Sequence, residues 1–361
     1  MGHVRVALAG VGSCASSLVQ VISQARQSTS RPAGVMYERI AGYELRDVEF
    51  AAAFDVDRGK MGAELSKAIV TPPTMARVHV DVEPSNVVVE AGPLLDGLDG
   101  LLSEYIEADP AAADVTIEAV AKRLTETGAD VLVCLLPTGA REAVQAYATA
   151  AAHAGVGFVN ATPEPVARET RLARLFERRR APLLGDDLRS HLGATTLHTA
   201  LIGLMRSRGL RISNTYQLNV GGNTDFLNLS DPGRARGKIG SKRRALAAAG
   251  IDAETVSAGP NGYVEHLGDS KVCFLRLEAE SILDTNVSLE VRMEVEDSPN
   301  AAGVLVNAVR VAKAAKDRAM SGVVDPVCPF LFKSPPHGAA EIDGLRQFDE
   351  FVAGLETASA G

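Results

Sequence analysis

The chain has 361 residues, 46% of them hydrophobic and 23% charged, with a net charge of −8 and a pI of about 5.5. That suits one large or two medium globular domains. Only 4% of residues are aromatic and none is Trp, so no nucleic-acid partner is expected, and no apolar stretch approaches the roughly 20 residues of a membrane span.

MGHVRVALAG enters a strand directly, without a signal-peptide pattern, so a cytoplasmic protein is expected. Cys14, Cys134, Cys273 and Cys328 have no CxxC spacing and read as reduced, mostly buried thiols.

Residues 3–9 (HVRVALA) read as a buried strand, followed by GVG and a helix over 15–24. Residues 27–46 read as an inserted loop or hairpin. A second strand, VEFAAAFDVD, ends at Asp55 and Asp57, and an irregular insertion over 70–100 precedes a helix near 111–127. ADVLVCLLP (129–137) is a continuous apolar run, as in a strand buried on both faces. In the next helix Val144, Tyr147, Ala148 and Ala151 share one face. VGFVN (156–160) and APLLGDD (181–187) continue the alternation, which predicts a doubly wound parallel α/β sheet of the Rossmann type.

Past a helix at about 190–208 the pattern changes. RISNTYQLNVGG, SKVCFLRLEAES and TNVSLEVRMEVE are strand-like, and in the last Val287, Leu289, Val291, Met293 and Val295 alternate with polar residues. One buried face is implied, hence an open, mostly antiparallel sheet in an α+β insert. DSPNAAGVLVNAVRVAKAAKDRAM restores a helix, with Ser298 or Asn300 available as cap. The expected partition is 1–199 for nucleotide binding, 200–300 for catalysis and oligomerisation, and 301–361 as a return to the first domain.

GVGSCA offers Gly10 for the tight turn, Gly12 for close pyrophosphate approach, and Ser13 and Cys14 at the helix start, where free N–H groups meet phosphate. Asp55 is expected on the adenosine ribose, with Asp57 as competitor; a carboxylate there favours NAD over NADP. LLPTGA and FVNATPEP end two further strands, so Thr138, Gly139, Asn160 and Thr162 are expected to flank the nicotinamide. Asp186 and Asp187 end another strand, and one of them is expected on cofactor or cation. His191 and His198, seven apart, read as structural residues sharing a helix face.

Five lysines punctuate the second half: Lys238 and Lys242 in KIGSK, Lys271 in LGDSK, Lys316 in AAKDR and Lys333 in FLFKSPP. Downstream of a nucleotide turn, separated ammonium groups suggest chemistry on an anionic sugar phosphate. GVGSCASSLVQ, AAFDVD, LLGDDLRSHLGATTLH, QLNVGGNTDFLNL, KIGSK, EDSPNAAGV, AAKDR and FKSPP, in this order, resemble the myo-inositol 1-phosphate synthases of the actinobacterial and archaeal type, also named inositol 3-phosphate synthases. The resemblance implies a Rossmann NAD domain interrupted by a catalytic and tetramerisation domain. It implies catalytic roles for Lys238, Lys242, Lys271 and Lys333, with Asn219, Asn223, Asp225 and Asp297 as polar site residues, Asp297 also beside the cofactor. Lys316 stays a solvated helix-end charge. Parts of the family use a cation, for which Asp187, Asp297 and Ser298 offer oxygens.

The implied reaction is redox-neutral. A hexose 6-phosphate is oxidised at carbon five by tightly held NAD, enolises at carbon six, closes by an intramolecular aldol step and is reduced again. Ammonium groups stabilise the developing oxyanions; Lys242 and Lys333 are expected at the oxygens, Lys238 and Lys271 at proton transfer and phosphate. The chain departs from the family pattern. GDDIKSQVGATITH becomes GDDLRSHLGATTLH, bringing Arg189 and His191, and DDRKWAY becomes GDSKVCF, bringing Ser270 and Val272 around Lys271. A divergent paralogue is expected. Glucose 6-phosphate would give a six-membered inositol phosphate; fructose 6-phosphate would give a five-membered cyclitol phosphate of specialised metabolism. A dehydrogenase with net redox turnover and a non-catalytic NAD-binding paralogue are the remaining alternatives.

Overall fold

The structure, a computed structural model, describes residues 2–28, 30–248, 250 and 257–357. Its strands are β1 (Val4–Ala9), β2 (Val48–Asp55), β3 (Val89–Ala91), β4 (Val131–Cys134), β5 (Gly157–Asn160), β6 (Pro182–Leu184), β7 (Arg211–Gly221), β8 (Ser257–Tyr263), β9 (Ser270–Glu280), β10 (Asn286–Glu296) and β11 (Gly322–Val323). Seven form one all-parallel sheet in the order β3-β2-β1-β4-β5-β6-β11. The other four run β10-β9-β7-β8, antiparallel except for β7 and β8.

The helices are α1 (Ser13–Gln27), α2 (Leu65–Ala68), α3 (Ile117–Glu126), α4 (Arg141–Ala154), α5 (Thr170–Arg179), α6 (Ala194–Ser207), α7 (Thr224–Asn228), α8 (Pro232–Ala248), α9 (Asp297–Asp317), α10 (Cys328–Leu331) and α11 (Glu341–Thr357). The central strands of the parallel sheet are largely apolar, β4 at every position, because both faces are covered. Val4, Val6 and Leu8 of β1 enter one core with α1 and α9, while Ala7 and Ala9 enter another with α3, α4 and α5. The chain thus returns, after the second sheet, to cover the first and add β11 at its edge.

On the second sheet, α6 buries Ile202 and Met205 against Leu277 and Ala279. Ala194 of the same helix meets Cys273 and Leu275. This stacks α6 across the strands and aims its N-terminus at the first sheet.

Several expectations are corrected. The helix expected from 190 begins at Ala194, so His191 precedes it and shares no helix face with His198. Neither Ser298 nor Asn300 caps α9: Glu296 holds that position without a side-chain cap. Ser298 Oγ donates instead to Asp269, and Asn300 Oδ1 accepts from the Leu192 N–H. Lys316 is not simply solvated; its Nζ donates to Asp130 Oδ1 and the Ala129 carbonyl, both at 3.2 Å, and ties the end of α9 to the approach to β4.

Candidate active site

The strand order reverses direction between β1 and β4, and a crevice opens at their carboxyl ends. Gly10 leaves β1 with φ +92°, and a side chain there would lie 2.9 Å from the Leu135 carbonyl oxygen, so only glycine fits. Gly12 then caps α1; a Cβ built on it meets nothing within 4 Å. The first turn of α1 carries neither a side-chain cap nor an acidic residue. An open cradle lined by free amides at the positive end of a long helix suits a pyrophosphate. Asp55 accepts the Val11 N–H at 2.6 Å and the Val56 and Asp57 N–H groups at 2.7 and 3.0 Å, bringing its carboxylate to the turn. Burial and the nearby Asp297, Asp269 and Asp225 push the Cys14 thiol up to about 12, so it stays neutral.

The same cavity continues to the lysines. Lys238 and Lys242 stand one turn apart on α8, Lys271 opens β9, and Lys333 follows α10. Lys238 Nζ lies 3.6 Å from Asp225 Oδ2 and 3.7 Å from Asp187 Oδ1. Lys271 donates to Asp297 Oδ1 at 2.9 Å and Lys333 to Asp187 Oδ1 at 3.0 Å. Among the described residues Lys242 has no carboxylate partner; its Nζ donates to the Gly259 carbonyl at 3.2 Å, which also accepts from Asn219 Nδ2 at 2.9 Å. Asn223 caps α7 through the Asp225 and Phe226 N–H groups, and its amide donates to Asp297 Oδ2 at 3.3 Å.

These settings separate the charge states. Burial, reinforced by Lys271, Lys333 and Lys238, drives Lys242 well below the ordinary lysine value. Lys333 is lowered to about 8 by burial, which Asp187 only partly opposes. Burial also acts against Lys238, but Asp225, Asp187 and Asp297 outweigh it and hold that ammonium above its usual value.

The family model described as "Myo-inositol-1-phosphate synthase" matches residues 193–298. The inositol-3-phosphate synthase of Mycolicibacterium smegmatis is 41% identical over 363 residues, 98% of this chain and 99% of that protein. The chain belongs to the myo-inositol-1-phosphate synthase family. The crystal structure of Ari2, at 35% identity, superposes with a TM-score of 0.82 over 99% of this chain and 100% of its own. A myo-inositol-1-phosphate synthase-related protein from Thermotoga maritima MSB8, at 26% identity, gives 0.83 over 97% and 98%.

Of the residues expected from this family's pattern, the four lysines, Asn219, Asn223, Asp225, Asp297 and Ser298 line one cavity with Gly10, Gly12, Ser13, Cys14, Asp55, Thr138 and Thr162. Four others stand behind its wall. Asp186 is fully buried and accepts from Asn160 Nδ2 and from the Val166, Ala167 and Arg168 N–H groups, so it braces the 160–168 turn. Asn160 is spent on that brace, Gly139 gives its N–H to Glu164, and Asp187 acts through Lys238 and Lys333.

A cation does not fit. Among the described residues no group of three or more His, Cys, Asp or Glu is placed to hold a metal. Lysine ammoniums already neutralise Asp187 and Asp297, and Ser298 serves Asp269.

Of Arg189, His191, Ser270 and Val272, one lines the cavity. Arg189 does so, pinned by Glu341 at 2.7 Å and the Phe332 carbonyl at 3.0 Å. Ser270 and Val272 flank Lys271 on a strand and so point to its opposite face. His191 packs against Gly34 and Gly303. His198 is structural: buried, lowered to about 4 by that burial, and 2.6 Å from Thr215 Oγ1.

Sequence reasoning missed three features. Asp269 is a buried carboxylate that holds Ser298 Oγ at 2.7 Å. Lys60 lines the nucleotide end. The uncapped N-terminus of α6, with Ser190, Thr195 and Thr196, lines the lysine end.

Proposed function

We propose that the protein is a redox-neutral cyclitol phosphate synthase that uses NAD and converts glucose 6-phosphate to myo-inositol 1-phosphate, also named inositol 3-phosphate. One observation carries this: four lysines from three separate segments converge on a cavity whose other end is a glycine turn open for a pyrophosphate. In this reading the α1 N-terminus and Gly12 hold the pyrophosphate, Asp55 the adenosine ribose, and Thr138 and Thr162 the nicotinamide end. Held there, NAD would supply a reversible hydride acceptor for carbon five. The free amides of α6, with Ser190 and Thr195, cradle the substrate phosphate.

The charge states suggest a division of labour different from the one the family resemblance implies. Lys242, whose hold on a proton is weakened by burial and the surrounding lysines, takes the proton of the carbon-five hydroxyl and then faces the new carbonyl as an ammonium. Lys333, poised at about 8, exchanges the carbon-six proton during enolisation. Lys238, held charged by its neighbouring carboxylates, and Lys271, paired with Asp297, stabilise the oxyanions at carbon five and at the attacked carbonyl. The carbon-six enolate closes the ring on carbon one, and no redox equivalent is consumed.

A second reading, closure of fructose 6-phosphate to a five-membered cyclitol phosphate, draws on Arg189, a planar fork in the cavity wall where the family pattern has a lysine. The deciding experiment offers each sugar phosphate separately and reads the product ring by NMR. A six-membered product supports the first reading and a five-membered one the second. Loss of substrate with stoichiometric NADH would indicate a dehydrogenase instead, and no reaction a non-catalytic paralogue.

We further propose a cytoplasmic homotetramer, with 200–300 as the catalytic and assembly unit between 1–199 and 301–361. Exposed Phe274 and Val287 on the second sheet, and the free edge of β10, support an assembly surface there. Among the described residues no helix is long and apolar enough to cross a membrane. Light scattering tests the tetramer.

A further inference from the structure

Lys60 has no part in the reaction scheme above, yet its setting is unusual. It lies in the turn after β2 and is 4% exposed, a costly place for an ammonium without a purpose. Its Nζ donates to the Val11 carbonyl at 2.9 Å, with Asp57 Oδ2 3.8 Å away. Among the described residues it is the one cation lining the nucleotide end of the cavity, beside Asp55 and Asp57.

Val11 is the central residue of the glycine turn. Its N–H is held by Asp55 and its carbonyl by Lys60, so both peptide groups flanking Val11 are fixed from the end of β2. The second of these peptides joins Val11 to Gly12. In a planar trans peptide the C=O and the following N–H point in opposite directions. With the Val11 carbonyl turned to Lys60, the Gly12 N–H is turned the other way, and it makes no hydrogen bond among the described residues. A peptide next to glycine has little steric resistance to flipping. Flipped, it would present a carbonyl oxygen where an anion is to bind.

We infer that Lys60 is a positioning residue that locks the Val11–Gly12 peptide with its N–H toward the dinucleotide phosphates. The inference rests on the reading of the turn as an NAD site. It assigns to the DRGK turn a task that the glycine motif alone does not perform, because the glycines permit the required conformation but do not select it.

The test measures ADP-ribose and NAD binding by calorimetry for wild type, Lys60→Met and Lys60→Arg. Lys60→Met should weaken both ligands about ten- to hundredfold, the scale of one charge-assisted hydrogen bond. Lys60→Arg keeps a donor of sufficient reach and should stay within about threefold. Glucose 6-phosphate affinity should not change, and amide exchange across residues 10–16 without nucleotide should speed up in Lys60→Met alone. If Lys60→Met cannot be purified, Lys60→Gln takes its place, since its amide is too short to reach Val11. Either variant binding ADP-ribose as tightly as wild type overturns the inference. Wild type failing to bind either nucleotide overturns the NAD reading itself.

Discussion

The fully buried Asp187 carboxylate accepts a hydrogen bond from Lys333 Nζ at 3.0 Å. Lys238 Nζ stands 3.7 Å from the same oxygen. Burial opposes the charge on Asp187, but Lys333 and Lys238 overcome it and hold the carboxyl well below the usual range. One anion thereby sets the position and the proton affinity of two lysines that come from different ends of the catalytic half.

Asp187→Asn should shift the pH profile. Lys333 gains the neutral form as pH rises through about 8, so wild-type turnover should rise across that range. Removing the anion disfavours the ammonium and lowers the Lys333 value further, moving this limb to lower pH. The plateau should fall roughly a hundredfold because both lysines lose their anchor. A pH–rate series from 6 to 10 reads both effects, and a limb that stays in place counts against Lys333 as the titrating group.

Lys242→Met should cut turnover about a thousandfold, the scale of a lost general base, while NAD affinity is unchanged. Lys242→Arg should be no better, since a guanidinium does not give up its proton at any working pH. Steady-state kinetics with calorimetry of NAD separate the two quantities. Full turnover in either variant would remove Lys242 from the mechanism.

Gly10 and Gly12 should respond differently. Gly10→Ala forces a side chain onto the Leu135 carbonyl at positive φ, with an expected loss of about 1–3 kcal/mol by urea denaturation. Gly12→Ser leaves the melting temperature unchanged or raised, because serine is a favoured helix cap. Its side chain nevertheless enters the cradle, and NAD affinity should fall more than about tenfold.

Glu341→Leu removes the carboxylate and leaves the Arg189 guanidinium buried with the Phe332 carbonyl as its remaining hydrogen-bond acceptor among the described residues. The expected destabilisation is about 2 kcal/mol, below that of a wholly buried pair because the Glu341 side chain is 21% exposed. Urea denaturation measures it, and an unchanged midpoint would show the pair to be energetically idle.

The strands read correctly in sequence are those whose environment leaves a mark on composition. VLVC of β4 is apolar throughout because helices cover both faces, and β10 alternates because one face is open. β3 and β11 are three and two residues long, too short for any period to register. β8 reads SAGPNGY, whose glycines and proline signal a turn; its pairing with β7 is tertiary.

The lysines were legible only through their surrounding motifs. Nothing along the chain tells that Lys333 and Lys238 meet at Asp187. Asp186 and Asp187 look alike as neighbours, yet one braces a backbone turn and the other serves two ammoniums. Lys60 in DRGK resembles any solvated turn charge, and its burial is visible only once β2 is packed.

The return of the chain after the second sheet has a consequence for biosynthesis. A nascent polypeptide that has left the ribosome only as far as residue 300 already carries Lys238, Lys242 and Lys271, but it lacks Lys333 and the β11 strand that pairs with β6. Its β6 edge is open to pairing with other chains, and its first core lacks the covering side chains of α9. Assembly of the four-lysine centre therefore waits until Lys333 has left the ribosome, and until then the open edge and uncovered core are exposed to aggregation.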